Sequence, residues 1–134
     1  MVHHPYAYGE MLKERLLKHG VTCWLVNTGW TGGPFGVGKR IAIRHTRALL
    51  DAALTGRLKT AAYRPDPVFG FEVPVAFEDI PRQILDPAGA WSSREDYDRK
   101  YRALAARFME NFKLIKGGCP ADIAQGGPRS AASV

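Results

Sequence analysis

The chain has 134 residues, the size of one domain, and its 46% hydrophobic and 24% charged content excludes an intrinsically disordered chain. No apolar run reaches the roughly 18–20 residues of a membrane span, and the start MVHHPYAYGEMLKERL lacks the basic-then-apolar pattern of a secretory signal. The net charge of +6 gathers between Lys39 and Lys59, where Arg40, Arg44, Arg47 and Arg57 are opposed by Asp51 alone, a field that attracts phosphates.

In chain order, Tyr6–His19 predicts a first helix with Tyr8, Met11, Leu12 and Leu16 as its buried row, preceded by Pro5 and stopped by Gly20. Val21–Asn27, VTCWLVN, has the length and residue types of a buried strand. A glycine-rich loop follows from Thr28 to Arg40, then a short extended piece over Ile41–Ile43. Thr46 is expected to cap a second helix, Arg47–Thr55, with Leu49, Leu50, Ala53 and Leu54 on its apolar face and Gly56 at its end. Prolines at 65, 67, 74, 81 and 87 exclude a long helix from 61 to 87, and Val68–Ala76 alternates enough for short edge strands. Ser92 and Glu95 have capping-box spacing ahead of a long helix, whose Tyr97, Tyr101, Leu104, Phe108, Phe112 and Ile115 form a packing stripe up to Gly117–Gly118. Residues 120–134 read as a loose tail. No repeat or linker divides the chain.

Cys23 and Cys119 lie far apart in sequence without metal-ligand spacing, as expected of an intracellular protein with two unpaired thiols. His3, His4, His19 and His45 lack carboxylates at ligand spacing and read as surface or packing residues.

The loop invites one false match. Gly33-x-x-x-x-Gly38-Lys39-Arg40 follows a phosphate-binding P-loop through its lysine, then offers Arg40 where a P-loop needs Ser or Thr for magnesium. A P-loop also runs straight into its helix, whereas Ile41, Ala42 and Ile43 intervene here. Five glycines (29, 32, 33, 36 and 38) allow close backbone approach or positive φ. Arg40 could stack on a flat base, and Thr46 offers a hydroxyl for an edge contact. From the residues alone, a nucleotide-binding loop and a structural glycine turn are equally supported.

The order Val26-Asn27-Thr28-Gly29-Trp30, the glycine loop, Gly38-Lys39-Arg40-Ile41 and then Thr46 resembles a block of the ATP-dependent phosphoenolpyruvate carboxykinases. Similarity continues through His4–Ala7, Thr46–Ala53, Ile84–Pro87 and Ala106–Phe112, so it covers nearly the whole chain; Ala88 departs from the Arg expected after Ile84-Leu85-Asp86-Pro87. The resemblance implies a mixed α/β fold with about three helices and short strands. Residues 1–119 would be the C-terminal segment of the carboxykinase nucleotide-binding domain and 120–134 a flexible tail.

It also implies a cytoplasmic enzyme of gluconeogenesis, a lyase and kinase that converts oxaloacetate and ATP to phosphoenolpyruvate, carbon dioxide and ADP. Arg40 and Ile41 take the positions that contact the nucleotide, and Thr46 the position that hydrogen-bonds it. No catalytic residue or metal ligand is carried over. Mg2+, Mn2+ and oxaloacetate would be held by residues outside this chain, so the isolated piece is expected to be inactive. Its partners would be adenine nucleotide, with no nucleic acid and no membrane, and exposed apolar surface would invite self-association. The alternatives are a free-standing ATP- or anion-binding module without catalysis, and a basic interaction protein for RNA.

Overall fold

In the computed structural model the described residues are 3–78 and 80–129. They form the expected mixed α/β class, with six α-helices, one 3-10 turn and two small antiparallel sheets. Helix α1, Pro5–His19, begins where the His4 ring accepts a hydrogen bond from the Tyr6 backbone amide at 3.3 Å, and ends at Gly20 in the left-handed region. Its apolar row is not buried. Met11 and Leu12 are more than half exposed, because no described element of the chain covers that face.

The strand expected over Val21–Asn27 is likewise absent. The segment is not helical, but no described strand offers it a ladder, and strand structure exists only where a neighbour supplies the hydrogen bonds. Strand β1, Trp30–Thr31, pairs instead with β2, Lys39–Arg40. The extended piece expected over Ile41–Ile43 therefore lies two residues too late, and Ile43 already belongs to the next helix. That helix, α2, spans Ile43–Leu54 with Ala42 as its N-cap, so Thr46 stands inside the first turn and does not cap. The buried face also differs from the expected one, because the core packs against Ala52: Ala52 is completely buried, Ala48, Leu49 and Ala53 are partly so, and Leu54 points to solvent.

A 3-10 turn, Arg57–Thr60, follows Gly56, whose φ of 78° is the left-handed stop expected there. Leu58 in this turn joins Ala52, Phe77, Ile80 and Leu85 as the buried core. Strands β3, Tyr63–Pro65, and β4, Glu72–Pro74, form a hairpin in the register Tyr63–Pro74, Arg64–Val73 and Pro65–Glu72. Single-turn helices α3, Arg82–Leu85, and α4, Pro87–Ala90, bring Leu85 into the core.

The long helix α5 runs Arg94–Ile115. Its cap is Ser93, whose hydroxyl accepts from the Asp96 amide at 3.1 Å, one residue later than the Ser92–Glu95 box expected. The aromatic stripe packs partly as expected. Phe69, in the β3–β4 turn, meets Tyr101 edge-on at 5.4 Å and Phe108 at 5.7 Å, and Trp91 meets Tyr97 at 5.7 Å. Leu104 and Phe108 nevertheless keep about half of their surface exposed. In the tail, α6 spans Ala121–Gln125, and the Arg129 amide donates to the Val68 carbonyl at 2.8 Å. Residues 130–134 of that tail lie outside the described residues.

Candidate nucleotide-base site

Residues 32–38 form the loop of the β1–β2 hairpin, and two of its amides are spent inward. The Val37 and Gly38 amides both donate to the Pro34 carbonyl at 3.0 Å. A Cβ on Gly38 would stand 2.8 Å from the Gly33 carbonyl oxygen and 3.1 Å from that of Thr31, so glycine is required for the two limbs to close. A phosphate cradle needs amides that point at a ligand, and two of the loop's amides are committed within it. The glycine pattern thus belongs to a compact turn. Phe35 stands fully exposed at its tip.

The hairpin delivers three side chains in quick succession. Arg40, the last residue of β2 and opposite Trp30 in the ladder, is exposed, and its guanidinium has no hydrogen-bond or ion-pair partner among the described residues. Ile41 is buried, and its amide donates to the Gly29 carbonyl at 3.0 Å, which fixes the exit of β2. Thr46 is half-buried in the first turn of α2, and its hydroxyl has no partner among the described residues. Ala42 caps the helix with no side-chain hydrogen bond, and the first turn carries no acidic residue. The amides of that turn and Arg40 therefore supply one sign of potential, suited to an anionic ligand.

Ile41 also lines an open, largely apolar groove of about 800 Å³, together with Trp24, Leu49, Leu58, Tyr63 and Ile84. One wall is the extended segment Thr22–Asn27, and Trp24 lies 6.2 Å from the Tyr63 ring. Arg40 and Thr46 do not line this groove. The fold brings the three residues together along the β2–α2 junction, with only Ile41 reaching the groove.

The basic field is weaker than the sequence count implies. Arg57 bonds both Glu78 and Asp51, and these two hydrogen bonds, Glu78 first, raise its pKa further. The contribution of Glu78, 21 positions away, was invisible to local counting. Arg44 donates to the His45 ring at 3.3 Å, which leaves Lys39, Arg40 and Arg47 as the cations without a partner among the described residues nearest the junction.

Among the described residues no group of three or more His, Cys, Asp or Glu side chains could hold a metal ion. His3 packs against Tyr8, and the His4 and His45 rings accept the hydrogen bonds already described. Magnesium or manganese therefore has no fitting donor set among the described residues. No helix among the described residues is long and apolar enough to cross a membrane.

A family model described as phosphoenolpyruvate carboxykinase matches residues 1–83, a span that takes in Arg40, Ile41 and Thr46. The chain is 49% identical over 127 residues to a phosphoenolpyruvate carboxykinase (ATP) of Thermus thermophilus, covering 95% of this chain and 24% of that protein. It is 48% identical over 124 residues to the enzyme so named from Afipia carboxidovorans, covering 92% and 23%. It is 52% identical over 112 residues to that of Agrobacterium fabrum, covering 84% and 21%. The chain thus spans about a quarter of the length of the curated relatives it matches.

Proposed function

We propose, because this chain belongs to the phosphoenolpyruvate carboxykinase (ATP) family, that it supplies the adenine-base contacts of an ATP site whose phosphate and metal chemistry is carried by other residues. The reaction served is conversion of oxaloacetate and ATP to phosphoenolpyruvate, carbon dioxide and ADP. In this reading residues 1–119 are the C-terminal segment of the nucleotide-binding domain and work in the cytoplasm. The Arg40 guanidinium lies on the face of the base, Ile41 gives the apolar wall, and the Thr46 hydroxyl reads a base edge.

The observation that carries the reading is the β2–α2 junction. It presents a guanidinium and a hydroxyl without partners among the described residues and a buried aliphatic side chain within seven positions, while two loop amides, those of Val37 and Gly38, are engaged with Pro34. Such a junction can hold a base. The chain alone accordingly binds adenine nucleotide weakly and forms no phosphoenolpyruvate. Positioning and metal charge dominate phosphoryl transfer, and both would come from outside the described residues.

The test is an NMR titration of the whole chain with ATP and with GTP. Shifts centred on residues 40–46, stronger for ATP, lost in Arg40→Ala and made equal for the two nucleotides in Thr46→Val, are expected. Shifts that survive both substitutions, or phosphoenolpyruvate formation by the chain alone, would overturn the assignment.

A further inference from the structure

The second cleft of the molecule has chemistry that the base site does not use. One side is helix α5, which contributes Tyr97, Tyr101, Arg102, Ala105 and Met109; the other is the β3–β4 hairpin and residues that follow it, and Arg129 also lines it. The cleft is open and holds about 780 Å³, within the range of small-molecule sites. It shares only Val73 with the groove beside Ile41.

Its charges do not balance. Four arginines (64, 94, 102 and 129) and three aspartates (66, 86 and 98) line it. Each carboxylate is already engaged. Asp66 accepts from the Tyr101 hydroxyl and from the Val68 and Phe69 amides at 3.1 and 2.7 Å. Asp86 accepts from Arg64 at 3.2 Å, and Asp98 from Arg94 at 3.1 Å. Arg102 and Arg129 are left with no side-chain hydrogen bond or ion pair among the described residues.

Their positions are fixed by different parts of the chain. Arg102 follows Tyr101 on α5, and the Tyr101 hydroxyl ties this turn of the helix to Asp66. Arg129 is tied at its backbone to Val68 by the 2.8 Å hydrogen bond. Both anchors converge on the turn between β3 and β4, so two guanidinium groups without an ion-pair partner among the described residues border one cleft, whose four arginines exceed its three aspartates by one charge. Guanidinium forks match phosphate and carboxylate oxygens, and the apolar wall of Val68, Ala105 and Met109 suits an attached carbon skeleton.

We propose that this cleft is a binding site for a small organic phosphomonoester, its dianion held by Arg102 and Arg129 and its apolar part by Met109, Ala105 and Val68. Phenyl phosphate is a suitable probe, with inorganic phosphate and phenol as the two halves of its chemistry. Titrated into the whole chain and followed by 1H–15N NMR, it is expected to shift the side-chain Nε–H signals of Arg102 and Arg129 and the amides of residues 66–69. Charge-assisted hydrogen bonds of this kind predict losses of about tenfold in affinity for Arg102→Gln and for Arg129→Gln. Inorganic phosphate should bind more weakly than phenyl phosphate, and phenol alone should not move the arginine signals.

Arg129 lies outside α5, so R129Q reads the site even if R102Q perturbs the helix. Unfolding midpoints show whether either variant has lost its fold. Equal binding of phenyl phosphate and inorganic phosphate, or unchanged affinity in a folded R129Q, would show only the general attraction of a chain with charge +6 and would overturn the proposal. So would shifts confined to Arg40 and Arg47. Failure of the base site leaves this test intact, because Arg40→Ala is expected to leave phenyl phosphate affinity unchanged.

Discussion

The register of α2 can be tested by two substitutions two residues apart. Leu54 is 88% exposed at the end of the helix, and Ala52 is 0% exposed among Leu58, Phe77, Ile80 and Leu85. Complete burial of a leucine side chain is worth roughly 1.5–3 kcal/mol. With about one-eighth of its surface covered, Leu54 contributes on the order of 0.2–0.4 kcal/mol. Alanine is also a slightly better helix former, which offsets part of that loss. Leu54→Ala should therefore change stability by less than about 0.5 kcal/mol.

Ala52→Leu behaves differently. Three added carbons have no space inside the core, and overpacking of this kind costs about 1–3 kcal/mol. Urea unfolding followed by far-UV circular dichroism gives both numbers from the shift in midpoint at constant slope. The apolar pattern by itself places Leu50 and Leu54 on the buried face and predicts the opposite ranking. If Leu54→Ala costs more than Ala52→Leu, the buried face of α2 is the one carrying Leu54 and the placement of Ala52 in the core is wrong.

Two further outcomes follow from α5. Ser93→Ala removes the hydroxyl that accepts from the Asp96 amide and should cost about 1 kcal/mol, whereas Ser92→Ala should be nearly neutral; paired urea titrations compare them. Burial, followed by the hydrogen bond to Asp66, pushes the Tyr101 phenol well above the ordinary tyrosine range. Because the folded-state pKa is raised, this stabilisation is fully present below the unfolded value near 10 and is lost as pH rises above it. Unfolding midpoints across that alkaline range should fall less steeply in Tyr101→Phe, which at neutral pH loses about 1 kcal/mol for the missing hydrogen bond.

Local signals were legible and partner signals were not. Gly20 and Gly56 stop helices as read because a left-handed terminus needs only the glycine itself, and both adopt positive φ. The start of α2 was misplaced by four residues because Thr46 looks like a cap while Ala42, with no capping side chain, does the work through its backbone alone. Choosing Ser92 over Ser93 failed for a related reason. Two adjacent serines both satisfy the spacing rule for some acidic residue, and only the helix phase decides between them. The neutralisation of Arg57 by Glu78 could not be read from the sequence, since the whole β3–β4 hairpin separates them.

The near-match to a phosphate loop shows why a motif needs its structural context. Glycine spacing specifies where backbone can close tightly, and both a cradle and a self-bonded turn require that freedom. They differ in the destination of the amides. In a cradle the amides leave the loop for the ligand and a helix begins at the lysine; here the Val37 and Gly38 amides return to Pro34, and Lys39 enters a strand. That single difference separates a self-bonded turn from a phosphate cradle. Arg40, with no magnesium-binding capacity, stands where a P-loop has its hydroxyl, at the end of a strand beside the buried Ile41, which is the placement the proposed base contact uses. The same logic bears on Val21–Asn27 and the exposed row of α1. Apolar periodicity reports which face will be covered and carries no information on the cover, so Met11, Leu12 and Leu25 stand in solvent in a chain about a quarter the length of its relatives.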